Sequence, residues 1–207
     1  MSIITGDLRN VVAQIFANAK IANIQLIKEM DIDTDFYKVQ VESFGGNGIY
    51  FNSAVENRFS LRGKTKGVMY LATTPHTGLK EYYQDEPFVT AADLSTNCMA
   101  VLQATRKIKV IDLSVLAPLL KIPLGDLMGP KTVYGETQLL AEELSGYADG
   151  MEYLSRHTGK PCLALWSDAV DGNGMLKNLS VIPLSQYNHN GETAQQILKS
   201  QLDIHIL

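Results

Sequence analysis

Between residues 7 and 29 the apolar side chains Leu8, Val12, Ile15, Phe16, Ala19, Ile24 and Leu26 recur at helical spacing, uninterrupted by proline or glycine. The pattern predicts an amphipathic helix that Asp7 can cap. Such a stripe serves either to pack against a core or to dock a partner. The period then changes. Residues 36–41 (FYKVQV) read as a strand, FGGNG as a flexible turn, and residues 49–53 (IYFNS) as a further strand-like run. Gly45, Gly46 and Gly48 are able to cradle a phosphate, but no helix pattern follows them, which favours the turn. Residues 67–72 (GVMYLA) are a short apolar run between turn residues, the pattern of a buried strand. Thr74 offers an N-cap and Pro75 the first helical position, so Glu81 falls about two turns into the next helix, on the face it shares with Thr77.

Residues 107–113 (KIKVIDL) alternate as a strand, and residues 114–121 read as a short helix stopped by Pro123. Residues 136–145 suit a helix, with Gly146 placed for a left-handed cap. Strands are predicted at 150–155, 162–166 and near 176–184, with a turn at 171–174 and a last helix near 192–202. There is no repeat, low-complexity tract or linker. Strands mixed irregularly with short helices predict an α+β fold rather than a doubly wound sheet.

Composition narrows the classes. The chain has 207 residues, 45% hydrophobic and 19% charged, which suits one domain with a substantial core. A net charge of −4 gives no broad field for nucleic acid. Arg58, Arg62, Lys64 and Lys66 nevertheless form a local basic concentration able to hold a phosphate. Cys98 and Cys162 are too few for a disulfide framework and fit neither a zinc nor a CxxC spacing, which suits a reducing compartment. The opening MSIITGDLRNVVAQIF lacks the order of a secretory signal, and no window approaches about 18 uninterrupted apolar residues. The expected location is the cytoplasm, either of the producing cell or of a cell into which the protein is delivered.

Several motifs fail on inspection. Gly63-Lys64-Thr65 is like the end of a phosphate-binding P-loop, but Arg58 stands where the first glycine is required, and a strand pattern follows instead of a helix. There is no GxSxG. His76, His157, His189 and His205 lack paired ligand spacing, so no metal is expected. Residues 171–174 (DGNG) lack the remainder of a calcium-ligand series.

The chemistry concentrates in residues 57–81 (NRFSLRGKTKGVMYLATTPHTGLKE), with a second segment ending at Ser155. Arg58 offers a planar fork of donors for a diphosphate. Tyr70 offers a flat face for a cationic ring. Glu81 offers a carboxylate to stabilise a sugar cation in a dry pocket, and Ser155 a hydroxyl for a phosphate, ribose or amide. Each has an ordinary alternative: a surface arginine, a core tyrosine, a solvated helix glutamate, a turn serine.

Their order resembles the RES family, named for its Arg, Glu and Ser. Asn57-Arg58-Phe59 is similar to that family's G-R-W step, and Val68-Met69-Tyr70-Leu71-Ala72 to its V-L-Y-L-A strand. Glu81 lies in the following helix. QLLAEELSGYADGMEYLS and PCLALW resemble the later helix, the serine step at Ser155 and the apolar strand. Asn57 and Phe59 depart from the glycine and tryptophan of the pattern, and Tyr37-Lys38 stands where many members carry Tyr-Arg.

The resemblance implies an ADP-ribosyltransferase-like split β core with surrounding short helices, formed by residues 34–207 after an N-terminal helical extension at 1–33. It implies an NAD-degrading toxin, with NAD as substrate and no metal. In that role Arg58 holds phosphate, Tyr70 packs on nicotinamide, Glu81 stabilises the ribosyl cation and Ser155 fixes the ligand. Two other readings stand beside it: a protein mono-ADP-ribosyltransferase, and a noncatalytic interaction domain that kept the fold. The family also implies an antitoxin or immunity protein that covers the site, with no direct contact to nucleic acid or membrane. The N-terminal helix could dock that partner or a second copy in a homo-oligomer.

Overall fold

Asp7 does cap the first helix, its carboxylate accepting from the Asn10 backbone N–H. This helix, α1 (Leu8–Ile21), ends well before residue 29. Asn23 turns left-handed with φ 54°, a conformation that stops a right-handed helix. The chain then enters strand β1 (Ile27–Met30), so Leu26 and Ile27 serve a sheet and not the helical stripe. The structure is a computed structural model, and it describes residues 7–84 and 86–207.

The other strands of the main sheet are β2 (Asp35–Val41), β3 (Gly67–Ala72), β5 (Asn97–Ala104), β6 (Ile108–Asp112), β7 (Gly150–Leu154), β8 (Pro161–Ser167) and β9 (Leu176–Pro183). A two-residue strand, β4 (Phe88–Val89), pairs separately with His205–Ile206 near the C-terminus. The eight-stranded sheet runs in the order β1-β6-β7-β8-β3-β2-β5-β9. Its pairs are antiparallel except β6 with β7. The helices are α2 (Pro75–Tyr83), α3 (Ala91–Thr96), α4 (Leu113–Leu119), α5 (Leu124–Leu127), α6 (Tyr134–Leu144) and α7 (Ala194–Gln201). The fold is thus α+β, as the irregular alternation predicts.

The sheet is divided at one place. β2 pairs with β5 along all of its residues, yet it meets β3 at a single registered pair, Tyr37 with Ala72. Beyond that pair the strands diverge, and a cleft opens between them. The apolar residues pack as separate clusters around this division. One includes Val12, Leu113, Leu116, Leu140 and Leu144 from α1, α4 and α6. Another joins Leu79 of α2 to Ile197 and Leu198 of α7 and Met99 of β5. Residues 7–33 belong to this body: Phe16 of α1 stacks on Tyr147 at 4.1 Å between ring centroids, and β1 is an edge strand of the sheet.

Three expectations need correction. Residues 49–53 form no strand, only an isolated bridge between Asn52 and Val68. This segment crosses so close to β3 that a Cβ at Gly67 would stand 2.5 Å from Phe51 backbone atoms, a contact that glycine alone permits. Gly146 does not adopt a left-handed cap; α6 closes through Ser145 at φ −65°. β5 has no counterpart in the predicted strands. Its centre, Cys98 to Ala100 with Leu102 and Ala104, is buried on both faces, so no alternation marks it. The turns at 44–48 and 171–174 are turns, with Gly45, Gly46 and Asn173 left-handed.

Candidate active site

The cleft at the division has a volume of about 660 Å³ and is lined by parts of β2, β3, α2, α6 and the loops beside them. Arg58, Tyr70 and Glu81 all line it. Ser155 lies directly behind Glu81.

Arg58 sits in an irregular segment, yet that segment is fixed on every side. Its own carbonyl accepts from Thr137 Oγ1 at 2.7 Å. The Phe59 carbonyl accepts from Trp166 Nε1 at 3.0 Å, and the Phe59 N–H donates to the Tyr70 hydroxyl at 2.8 Å. The Asn57 carbonyl accepts from Gln138 Nε2 at 2.9 Å. Side chains from α6, β8 and β3 thus supply the partners that a strand or helix would otherwise give this backbone. The Arg58 guanidinium lies 5.0 Å over the Tyr134 ring, and Nη1 donates to the carbonyls of Leu127, at the end of α5, and Gly129 just after it. With one nitrogen committed, Nε and Nη2 retain donors for an anion.

Tyr70 has two duties. Its ring lines the cleft, edge-on to Tyr153 at 6.4 Å, while its hydroxyl anchors the Arg58 segment. Burial pushes its phenol well above the ordinary range, against the opposing pull of the Phe59 N–H and the Arg58 charge. The group therefore stays neutral at working pH.

Glu81 is delivered by α2. Thr74 caps this helix by accepting from Thr77 N at 3.2 Å, and Pro75 takes the first turn, as the sequence predicts. Ser155 directly follows β7 and donates its hydroxyl to Glu81 Oε1 at 2.6 Å. Ser155 Oγ in turn accepts the backbone N–H groups of His157 and Thr158 at 3.2 and 3.1 Å. A hydroxyl has one proton and two lone pairs, so Ser155 is saturated; at 2% exposure it also lies out of solvent. Its contact is with Glu81, and this geometry makes it a support for the carboxylate more than a ligand-holding group.

Glu81 is the single carboxylate among the described residues lining the cleft, where Lys38, Arg58, Lys131 and Arg156 provide positive charge. Its other neighbours are held protonated. Burial pushes the Cys162 thiol far up, with the Glu81 charge adding to the effect. Burial does the same to the Tyr153 phenol, helped by Cys162 and Glu81. Burial lowers the Lys38 ammonium, which donates to the Gly48 carbonyl at 3.3 Å. The arrangement is one fixed anion in a cationic and aromatic cleft. It suits a ligand whose phosphates meet the arginine and lysines while a developing cation meets the glutamate.

The structure brings the four predicted residues together at one cleft, but sequence reasoning misses the residues that hold them. Thr137, Tyr134 and Trp166 come from α6 and β8, far away in the chain. One signal was present: Thr137 is a polar residue on the buried stripe it shares with Leu140, Ala141 and Leu144. The glycines of the 44–48 turn and residues 63–65 are not among the cleft-lining residues.

None of the curated proteins matches the chain. Among solved structures, a chain in the crystal structure of the M. tuberculosis MbcT-MbcA toxin-antitoxin complex is similar in fold. It has a TM-score of 0.60 and 13% sequence identity, and the match covers 84% of this chain and 91% of that one. The sequence pattern of the RES domain matches residues 32–183. That span holds the divided sheet, Arg58, Tyr70, Glu81 and Ser155, and the chain belongs to the RES family.

Proposed function

We propose that this protein is the toxin of a toxin–antitoxin pair and that it cleaves NAD at the bond between nicotinamide and ribose. The observation that carries the reading is Glu81, the single carboxylate among the described residues lining the cleft, fixed by Ser155 and facing lining groups whose other charges are all basic. Arg58, through Nε and Nη2, meets the diphosphate. The Tyr70 ring supports the nicotinamide, whose pyridinium charge favours an aromatic face. As the glycosidic bond breaks, its electron pair leaves with nicotinamide and neutralises that ring. Positive charge then develops on the ribose, and Glu81 stabilises it at close range. An oxygen of water or inorganic phosphate forms the new bond to the anomeric carbon, and its proton passes to bulk water. Loss of NAD would arrest growth, with the cytoplasm as the place of action and an antitoxin over the cleft as the restraint.

The test is to incubate the purified protein and its Glu81→Gln variant with NAD, with and without phosphate, and to separate the products with mass detection. Nicotinamide and ADP-ribose, or its phosphate ester, should appear with the parent. Turnover should fall by at least about 100-fold in the variant, the scale of removing a charge that stabilises the transition state. Intact NAD in the parent sample, with mass instead added to a lysate protein, would replace this reading with protein ADP-ribosylation.

A further inference from the structure

α2 and the turn between β7 and β8 touch at two places one helical turn apart. At the first, Ser155 donates to Glu81. At the second, the hydroxyls of Thr77 and Thr158 lie 3.1 Å apart. Thr77 is fully buried and precedes Glu81 by one turn, on the same face of α2. The two contacts share parts. The Thr74 hydroxyl donates to Thr77 Oγ1 at 2.9 Å, which leaves the Thr77 proton for Thr158. Thr158 gives its backbone N–H to Ser155 Oγ, and with both lone pairs of that oxygen filled, the Ser155 proton is directed to Glu81. Hydrogen bonds thus run from the cap of α2 across to Thr158 and, through the Thr158 backbone N–H and the Ser155 hydroxyl, back to the carboxylate.

Packing alone does not account for the two threonines. At the fully buried position 77, valine has the same shape and would fill the space without a buried polar atom, whose desolvation must be offset by a partner; the half-buried Thr158 hydroxyl also accepts the Lys160 N–H within its own turn at 3.3 Å. A carboxylate held by one hydrogen bond can swivel as the helix shifts against the turn. A second contact, one turn away and with the Thr77 side fully buried, removes that freedom. We propose that Thr77 and Thr158 are positioning residues for Glu81: their hydroxyl contact locks the turn carrying Ser155 onto α2 and so fixes the direction of the carboxylate in the cleft. The consequence for turnover rests on the function proposed above; the positioning itself does not.

The experiment therefore has two arms. In the first, the parent, Thr158→Val, Thr158→Ser and Thr77→Val are treated with a water-soluble carbodiimide and an amine, and modification is read by peptide mass spectrometry. Glu81 should be modified several-fold faster in both valine variants and at the parental rate in Thr158→Ser. Asp112 and Glu152, buried carboxylates of β6 and β7 that bind Lys28 instead, should be unchanged throughout. In the second arm, Thr158→Val should lower kcat for NAD about tenfold with KM little altered, the result of misaimed chemistry without lost binding. Parental Glu81 labelling in both valine variants, or no recovery in Thr158→Ser, overturns the proposal. So does a parallel rise at Asp112 and Glu152, which marks general loosening. If the parent does not cleave NAD, the functional reading fails and the labelling arm still decides this one.

Discussion

Tyr70 shows how one side chain can serve binding and architecture together. Its ring faces the cleft while its hydroxyl accepts the Phe59 N–H. Tyr70→Phe keeps the ring and strands that N–H away from water. The expected loss of stability is about 1–2 kcal/mol by thermal or denaturant unfolding, the cost of an unsatisfied buried donor. Because Arg58 rides on the same segment, NAD should bind the variant several-fold more weakly as well. Unchanged melting and unchanged affinity together would show that the hydroxyl holds nothing. At this scale much of the candidate site was legible, since Arg58, Tyr70, Glu81 and Ser155 each fall in a recognisable short motif and meet at or behind the cleft. What the motifs leave out is why the residues stay in place. That depends on Thr137, Trp166 and Thr158, whose partners lie far away in the chain.

Helix α2 carries Glu81 through a sequence with a glycine at its centre. A Cβ at Gly78 would meet Tyr37 and Ala72 atoms at 3.6–3.7 Å, an ordinary contact, and its backbone is not left-handed. Gly78→Ala should therefore raise stability by up to about 1 kcal/mol, through better helix propensity and a less free unfolded chain. A lower melting temperature would mean that α2 must lie closer to β2 than these distances allow. The start of α2 was legible from Thr74 and Pro75, because capping is a local matter. β5 was not. Met99, Ala100, Leu102 and Gln103 are good helix formers, and only burial between β2 and β9 makes them a strand. The end of α1 was hidden for a similar reason: the helical stripe continues in sequence, but β1 is claimed by β6.

For the molecule as a whole, the division of the sheet was not readable from pattern, since nothing within β2 or β3 says that they share a single registered pair. The resemblance supplied that expectation. The far side of the sheet carries a different device. Lys28 of β1 bridges Asp112 of β6 and Glu152 of β7 at 2.5 and 2.7 Å. Burial raises the Asp112 carboxyl, but the Lys28 and Ser114 hydrogen bonds outweigh it and leave the group below its ordinary value of 3.8. A carboxyl with a folded value below its unfolded one stabilises fully above the unfolded value, and that contribution is lost as pH falls through the folded value. Asp112→Asn should thus cost roughly 1–2 kcal/mol at neutral pH, discounted for the solvent around Lys28. The gap between variant and parent should narrow in acid-unfolding curves as pH falls below the ordinary carboxyl value of 3.8 and close once the folded carboxyl is protonated. A gap that persists there would assign the effect to packing.

The fixing of the Arg58 segment also bears on how such a sequence can drift. Three outside elements hold residues 57–59, so the arginine does not depend on the chain that leads from it to β3. Residues 62–65 between them are all exposed. Insertions or deletions at that tip can accumulate without displacing the guanidinium. The interval from Arg58 to Tyr70 is then free to vary among relatives, while the side chains at 137 and 166 are not. Divergence in this family should concentrate in the connecting turn and leave the cleft itself little changed.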